Sequence, residues 1–129
     1  MVKDFGAYPV ISQSSKNIDG YYDDSSNVIF DVPVILFGDH TRIVKFIDFP
    51  FIPGANGTKI FKTLKNPEYV YYLMQYASFK IENRGYGRHS SLLKKYEISY
   101  NDDENIQDLI VNSIKTAFNF IDKIKEQLK

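Results

Sequence analysis

From Asp103 onward an apolar residue returns every third or fourth position: Ile106, Ile110, Ile114, Ala117, Ile121, Ile124 and Leu128. Such steps line one face of a helix, and their alternation resembles a coiled-coil seam. Leu109 and Phe118 widen the stripe. The pattern predicts a helix of about 25 residues, roughly 37 Å long. In a chain of 129 residues this leaves about a hundred for everything else, a single domain's worth. The helix therefore sets 102–129 apart from 1–101. Two outcomes are open for its stripe: it packs on its own domain, or it stays exposed as a seam for another helix.

The first half has the opposite texture. Tyr8-Pro-Val-Ile-Ser12 reads as a short strand, with Pro9 suited to an edge. Gln13 to Asp19 is a polar turn, and Gly20-Tyr-Tyr22 resumes extended chain. A second polar turn, Asp23-Asp-Ser-Ser-Asn27, precedes Val34-Ile-Leu-Phe37, the best candidate for a buried strand. Gly38-Asp-His-Thr41 is a turn, Arg42 to Phe49 is β-prone, and Pro50, Pro53, Gly54 and Gly57 impose an irregular connection before Lys59-Ile-Phe-Lys62.

Helical signals begin at Asn66-Pro67-Glu68, an N-cap, a proline at the first helical position and an acid in the first turn. Val70, Leu73, Met74, Ala77 and Ile81 follow on one face, and Arg84-Gly-Tyr-Gly-Arg88 ends that helix. Ser90 or Ser91 opens a short turn through Leu92 and Leu93, and Tyr96-Glu-Ile-Ser-Tyr100 alternates like a strand. The fold class expected is α+β: a twisted, mostly antiparallel sheet of short strands, one mid-chain helix and a long C-terminal helix.

A net charge of zero hides a block pattern: residues 1–39 carry −4, 40–100 carry +6, and 101–129 carry −2. A basic middle suggests an anionic partner for one face. The composition excludes several chemistries. There are no cysteines, hence no disulfide framework, cysteine nucleophile or thiolate zinc site. His40 and His89 are too far apart in sequence for an HxH or HExxH pair. There is no nucleophile elbow and no signal segment, so a soluble, cytoplasmic protein without a cofactor or metal of its own is expected.

Three loops carry the remaining chemistry. Asp39-His40 has the makings of a catalytic pair, but neighbours on an extended chain point apart. Simpler readings are a turn in which Asp39 accepts backbone N–H bonds, or a loop presenting His40, Thr41 and Arg42 to a ligand. Gly54-Ala-Asn-Gly57 lacks the G-K-[ST] ending of a phosphate loop and reads as a turn. Arg84-Gly-Tyr-Gly-Arg-His89 puts two arginines, a tyrosine and a histidine on a glycine-loosened loop, within a stretch from Phe79 to Lys95 of net charge +4. Arginine can fork onto phosphate or guanine edges; a solvated, cation-rich helix terminus is the plainer alternative.

Together these segments resemble a known family. Pro33-Val-Ile-Leu-Phe-Gly-Asp-His-Thr-Arg-Ile-Val-Lys-Phe-Ile-Asp-Phe-Pro-Phe51 is similar to the central segment of target recognition domains in type I restriction–modification specificity subunits. Tyr8-Pro-Val-Ile-Ser12 with Gly20-Tyr-Tyr22 matches the usual start, and Arg84-Gly-Tyr-Gly-Arg-His89 followed by Leu92-Leu-Lys-Lys and Ile98 matches a later motif. The match runs from about residue 6 to 99. The resemblance implies a non-catalytic DNA-reading domain at 1–101 and a spacer or dimerisation helix at 102–129. In that family two such domains are joined by long antiparallel helices, and each reads half of a split site. The helices dock adenine methylase subunits, which use S-adenosylmethionine, and motor–nuclease subunits. The family's proline-rich step before the helix is missing from Ser99 to Ile106, and only one recognition domain is present, as in a fragment, a half-subunit or a stand-alone relative.

The expected function is sequence-specific recognition of double-stranded DNA within a restriction–modification complex. Arg42, Arg84 and Arg88 are the leading contact candidates, Lys45, Lys59 and Lys62 the phosphate-side ones, and Thr41, Tyr86 and His89 the supporting ones. Polar residues from Gln13 to Asn17 are further candidates to face DNA. Ile106, Ile110, Ile114, Ala117, Ile121, Ile124 and Leu128 form the partner helix, through which a homodimer is conceivable. Alternatives are the recognition domain of a fused methylase–nuclease, a helix-mediated interaction module, or a small enzyme built on Asp39 and His40.

Overall fold

A computed structural model describes residues 2–54 and 56–128. The elements run β1 (Tyr8–Ile11), β2 (Gly20–Tyr22), β3 (Val34–Gly38), β4 (Val44–Ile47), β5 (Ile52–Pro53), β6 (Thr58–Phe61), α1 (Pro67–Lys80), α2 (Ser90–Lys95) and α3 (Glu104–Gln127). The class is α+β, with short, mainly antiparallel strands, a mid-chain helix and a long C-terminal helix. The chain divides into two compact units, residues 1–98 and 99–129.

In the first unit the strands are shared between two three-stranded sheets, ordered β2-β1-β5 and β4-β3-β6. Four of the pairings are described in register, and only β1 with β5 is parallel. The polar stretch 23–27 and Pro33 separate β2 from β3, so the chain starts a second sheet there rather than extending the first. β3 is the centre. All five of its residues are buried, and alternate side chains serve opposite faces. Val34 and Leu36 join Ile11, Ile47 and Phe51 in one cluster; Ile35 and Phe37 join Val44 in another, against Phe46, Phe61, Val70, Met74 and Leu93. A continuous apolar run is what a strand buried on both sides requires.

α1 starts at Pro67 as expected, but the Asn66 side chain makes no capping bond to it; its backbone is left-handed, φ 40°, a conformation asparagine tolerates better than most residues. The alternation at 96–100 does not become a strand: no described strand pairs with it, and alternation without a ladder neighbour leaves the chain irregular. Conversely, the proline-broken connection after Phe49 contains β5, held because Val10 pairs with Ile52 and Ile11 with Pro53.

The second unit is a single helix with its approach. Asp103 Oδ1 accepts from the Asn105 and Ile106 N–H groups, and Glu104 adds an acid to the first turn. Its 24 residues extend about 36 Å. Among the described residues this unit holds no second element to cover the apolar stripe. Ile106, Ile110, Ile121 and Ile124 are 37–44% exposed and Leu128 80%; Ala117 is exposed and Ile114 partly buried. No described helix is long and apolar enough to cross a membrane.

Candidate nucleic-acid interface

The register Gly38↔Thr58 places the β3–β4 turn beside the β5–β6 connection. The Asp39 N–H donates to the Gly57 carbonyl at 2.8 Å, and Gly38 N–H to Ile43 C=O closes the turn. The loop after β1 arrives at the same place through Gln13. Its Oε1 accepts from the His40 and Thr41 N–H groups at 2.9 and 3.2 Å, its Nε2 donates to Asn56 C=O, and its own carbonyl accepts from the Thr41 hydroxyl. One side chain thus satisfies three backbone groups on two other loops.

Two glycines make room for it. A Cβ on Gly57 would lie 2.3 Å from Gln13 Nε2, where φ is also +83°. One on Gly38 would lie 2.7 Å from Gln13 Cβ and 2.2 Å from the Thr41 hydroxyl. Gly57→Ala is therefore expected to cost about 2–3 kcal/mol, through strain and displacement of Gln13. Gly85→Ala, at φ +65° with nothing within 4 Å, should cost only about 1 kcal/mol. Thermal denaturation of the two variants checks the ranking, and equal midpoints would contradict it.

The fourth loop, 84–89, is anchored by Asp39 and His89. Asp39 is fully buried, and its Oδ1 accepts from the N–H groups of His89 and Ser90 at 3.0 and 2.7 Å. Burial on its own pushes this carboxyl upward, but the Ser90 N–H and hydroxyl, the His89 N–H and the charge of Lys59 outweigh it, holding Asp39 below the usual carboxylate range. His89 is also fully buried. Its Nδ1 donates to the Asp39 carbonyl at 2.9 Å, and its Nε2 accepts from the Arg84 N–H at 3.0 Å. The expectation that His89 contacts DNA is corrected here: both ring nitrogens are consumed in holding the loop that carries Arg84.

The Asp39–His40 catalytic pair, disfavoured because neighbours point apart, does not form, and Asp39 accepts backbone N–H bonds as the simpler reading has it. The Asp39 carboxylate serves the 88–90 segment, and His40 turns to Tyr86. The two rings stack with centroids 4.6 Å apart and planes within 5°. His40 Nδ1 lies 2.9 Å from the Tyr86 carbonyl and 3.3 Å from that of Gly87. Carbonyls only accept, so Nδ1 carries the hydrogen.

Of the candidate cations, Arg88 and Arg84 lie on this loop. Arg88 is 77% exposed, yet its Nη1 is 3.5 Å from Asp39 Oδ2. Arg84 is half exposed, 3.9 Å from Glu82. Tyr86 is 82% exposed, Thr41 is exposed on the neighbouring turn, and Lys59 is exposed on β6 opposite Phe37. Arg42 is partly committed: its backbone is left-handed at φ 63°, its Nη1 donates to Ser78 C=O, and its carbonyl accepts from the Ser78 hydroxyl.

Two of the candidate lysines are committed away from this cluster. Lys45 Nζ donates to the carbonyls of Ser12 and Lys16 at 2.8 and 2.7 Å, closing the loop after β1 from within. Burial lowers its pKa against the opposing pull of Asp19. Lys62 lies at the far end of β6, about 13 Å along the strands from the Gly38 end, bonded to Asp31 and to the Pro33 carbonyl. Gln13, offered as a DNA-facing residue, faces inward instead. Nothing local marks it as the joint between loops, because its partners lie 27, 28 and 43 positions away. No model of a known protein family, no curated protein and no solved structure matches this chain, and the chemistry of the loop cluster is what bears on its function.

Proposed function

We propose that the chain recognises double-stranded DNA by sequence, as the non-catalytic specificity component of a type I restriction–modification system acting in the cytoplasm. The observation that carries this reading is Arg88, an exposed guanidinium whose Nη1 lies 3.5 Å from the buried Asp39 Oδ2, a charge contact without a hydrogen bond. A free arginine on a glycine-rich loop samples many rotamers; one drawn by charge toward Asp39 has fewer to lose when its fork meets a guanine O6/N7 pair. Arg84, without such a tether to a buried acid, suits a phosphate. Tyr86, Thr41 and Lys59 extend the same surface. The resemblance of Pro33–Phe51 and Arg84–His89 to recognition-domain segments supports the reading. The exposed α3 seam is suited to a second copy, or to the methylase and motor–nuclease subunits that the resemblance implies. That seam also favours a second reading, a helix-mediated interaction module in which DNA plays no part.

The two arginines are expected to separate in titrations of selected and random duplexes at several salt concentrations. Arg84→Ala should weaken binding to all sequences alike and lower the salt slope by about one ion. Arg88→Ala should cost about 1–3 kcal/mol on the selected site with little effect on random DNA. If the single and double variants bind as wild type does, the loop is structural and the proposed site is wrong. If wild type binds no duplex, the interaction-module reading takes its place.

A further inference from the structure

We propose that His40 is a base-reading residue whose Nε2 accepts a hydrogen bond from an exocyclic amino group in the major groove, N4 of cytosine or N6 of adenine. This inference rests on the DNA-binding reading above and deepens it.

The argument starts from what the ring has left to offer. His40 is held at three points. Gln13 Oε1 accepts its backbone N–H, Nδ1 donates to the Tyr86 and Gly87 carbonyls, and one face lies flat on Tyr86. Nε2 has no hydrogen-bond partner among the described residues and is not one of the described side-chain atoms buried without one, so it is open to solvent. With the hydrogen fixed on Nδ1, Nε2 of the neutral ring is a lone pair. A ring held this firmly loses little freedom on binding, and its one open polar atom has a fixed direction.

DNA then limits the partner. Phosphate oxygens, ring nitrogens and keto groups are acceptors, and an acceptor gains nothing from them. The donors on the base edges are N6 of adenine and N4 of cytosine in the major groove, and N2 of guanine in the minor groove. The stacked His40–Tyr86 pair is about two ring thicknesses, roughly 7 Å, across. The major groove, about 12 Å wide, admits it, whereas the minor groove, about 6 Å wide, does not. The arginine beside it, Arg88, seeks guanine acceptors in that same groove, so the two residues present complementary hydrogen-bonding chemistry on one surface.

The test uses the full chain. A randomised duplex library is selected with wild type, His40→Asn and His40→Gln. Asparagine keeps a donor where Nδ1 sits but has nothing at the Nε2 position, whereas the longer glutamine can place its amide oxygen there. Wild type and His40→Gln are expected to share a preference for A or C at one position, which distinguishes the two amino groups. His40→Asn should lose that preference alone while keeping its affinity for random DNA. A second arm alters only the DNA: the preferred base is replaced by its analogue lacking the amino group, purine for adenine or 2-pyrimidinone for cytosine. Wild type should bind this duplex about three- to tenfold more weakly, the effect of one hydrogen bond, and His40→Asn equally well. This arm stands even if the variants fold poorly. An unchanged consensus in His40→Asn, or no effect of the analogue on wild type, overturns the inference and leaves DNA binding intact. Duplex binding without sequence preference has the same consequence. Absence of duplex binding by wild type overturns both.

Discussion

Asp39→Ala is expected to lower stability by about 3–4 kcal/mol and to remove sequence-specific DNA binding with it. The carboxylate accepts two backbone N–H groups where no water reaches. Hydrogen bonds to a charged acceptor contribute roughly 1.5–3 kcal/mol each, and donors left buried and unpaired carry a further penalty. The two losses overlap, so the sum falls short of simple addition. In a unit of 98 residues this corresponds to a melting midpoint about 15 °C lower. Asp39→Asn is the discriminating companion. It keeps an acceptor for His89 and Ser90 but removes the charge that steers Arg88, so stability should fall by only about 1 kcal/mol while binding to the selected site weakens much as in Arg88→Ala. The pH dependence has a definite sign. Folding holds the Asp39 pKa below 3.8, so its contribution is complete above that value and is lost as pH falls through the lower, folded-state value. Asp39→Asn should therefore flatten the acid limb of the stability profile below about pH 4. A wild-type-like acid limb in that variant would contradict the assignment.

The second large effect concerns α3. The chain is expected to form a two-fold dimer through antiparallel α3 helices, and Ile121→Asp with Ile124→Asp should return it to a monomer. An apolar stripe of this extent favours a partner, and antiparallel pairing would bring the acidic start of the segment, Asp102, Asp103, Glu104 and Asp108, beside Lys123 and Lys125 of the partner. In a two-fold arrangement each substitution acts twice. Burying each isoleucine contributes about 1.5–3 kcal/mol, so dimer affinity should drop at least about a hundredfold. Analytical ultracentrifugation reads the result. A strictly monomeric wild type at high micromolar concentration would remove the self-pairing proposal.

The two units were legible in the sequence to different depths. α3 announces itself because its signals are local: Asp103 caps, Glu104 follows and the apolar step repeats to Leu128. β3 and α1 are nearly as plain, since a buried run and an Asn-Pro-Glu start are read within a few residues. The loop cluster is legible only in part. Arg84, Tyr86 and Arg88 stand out by type and by the glycines between them. The supports beneath them do not, because each is a pairing across a long stretch of chain. His40 and His89 show why. His40 sits in a glycine-containing turn and His89 follows one, and nothing beside either says which is exposed. The register of β3 on β6 decides it, by setting Asp39 where the 84–89 loop must close over it. The same long-range origin hides β5, whose two residues pair with β1 in a stretch that its prolines would otherwise leave irregular.

The Gln13 joint has a consequence for how such a surface can be re-targeted. Because one amide ties three loops together, the loops cannot be exchanged singly, as antibody loops can: grafting a new 39–42 segment without Gln13, Gly38 and Gly57 removes the seat it rests on. Positions 86 and 88 project from this frame, and their side chains make none of its backbone bonds, whereas the Thr41 hydroxyl belongs to the frame. A combinatorial library that varies these two and keeps Gln13, Gly38, Asp39, Thr41, Gly57 and His89 constant changes the lettering while leaving the typeface's metal body intact. New specificities should be accessible there with thermal midpoints close to that of the parent.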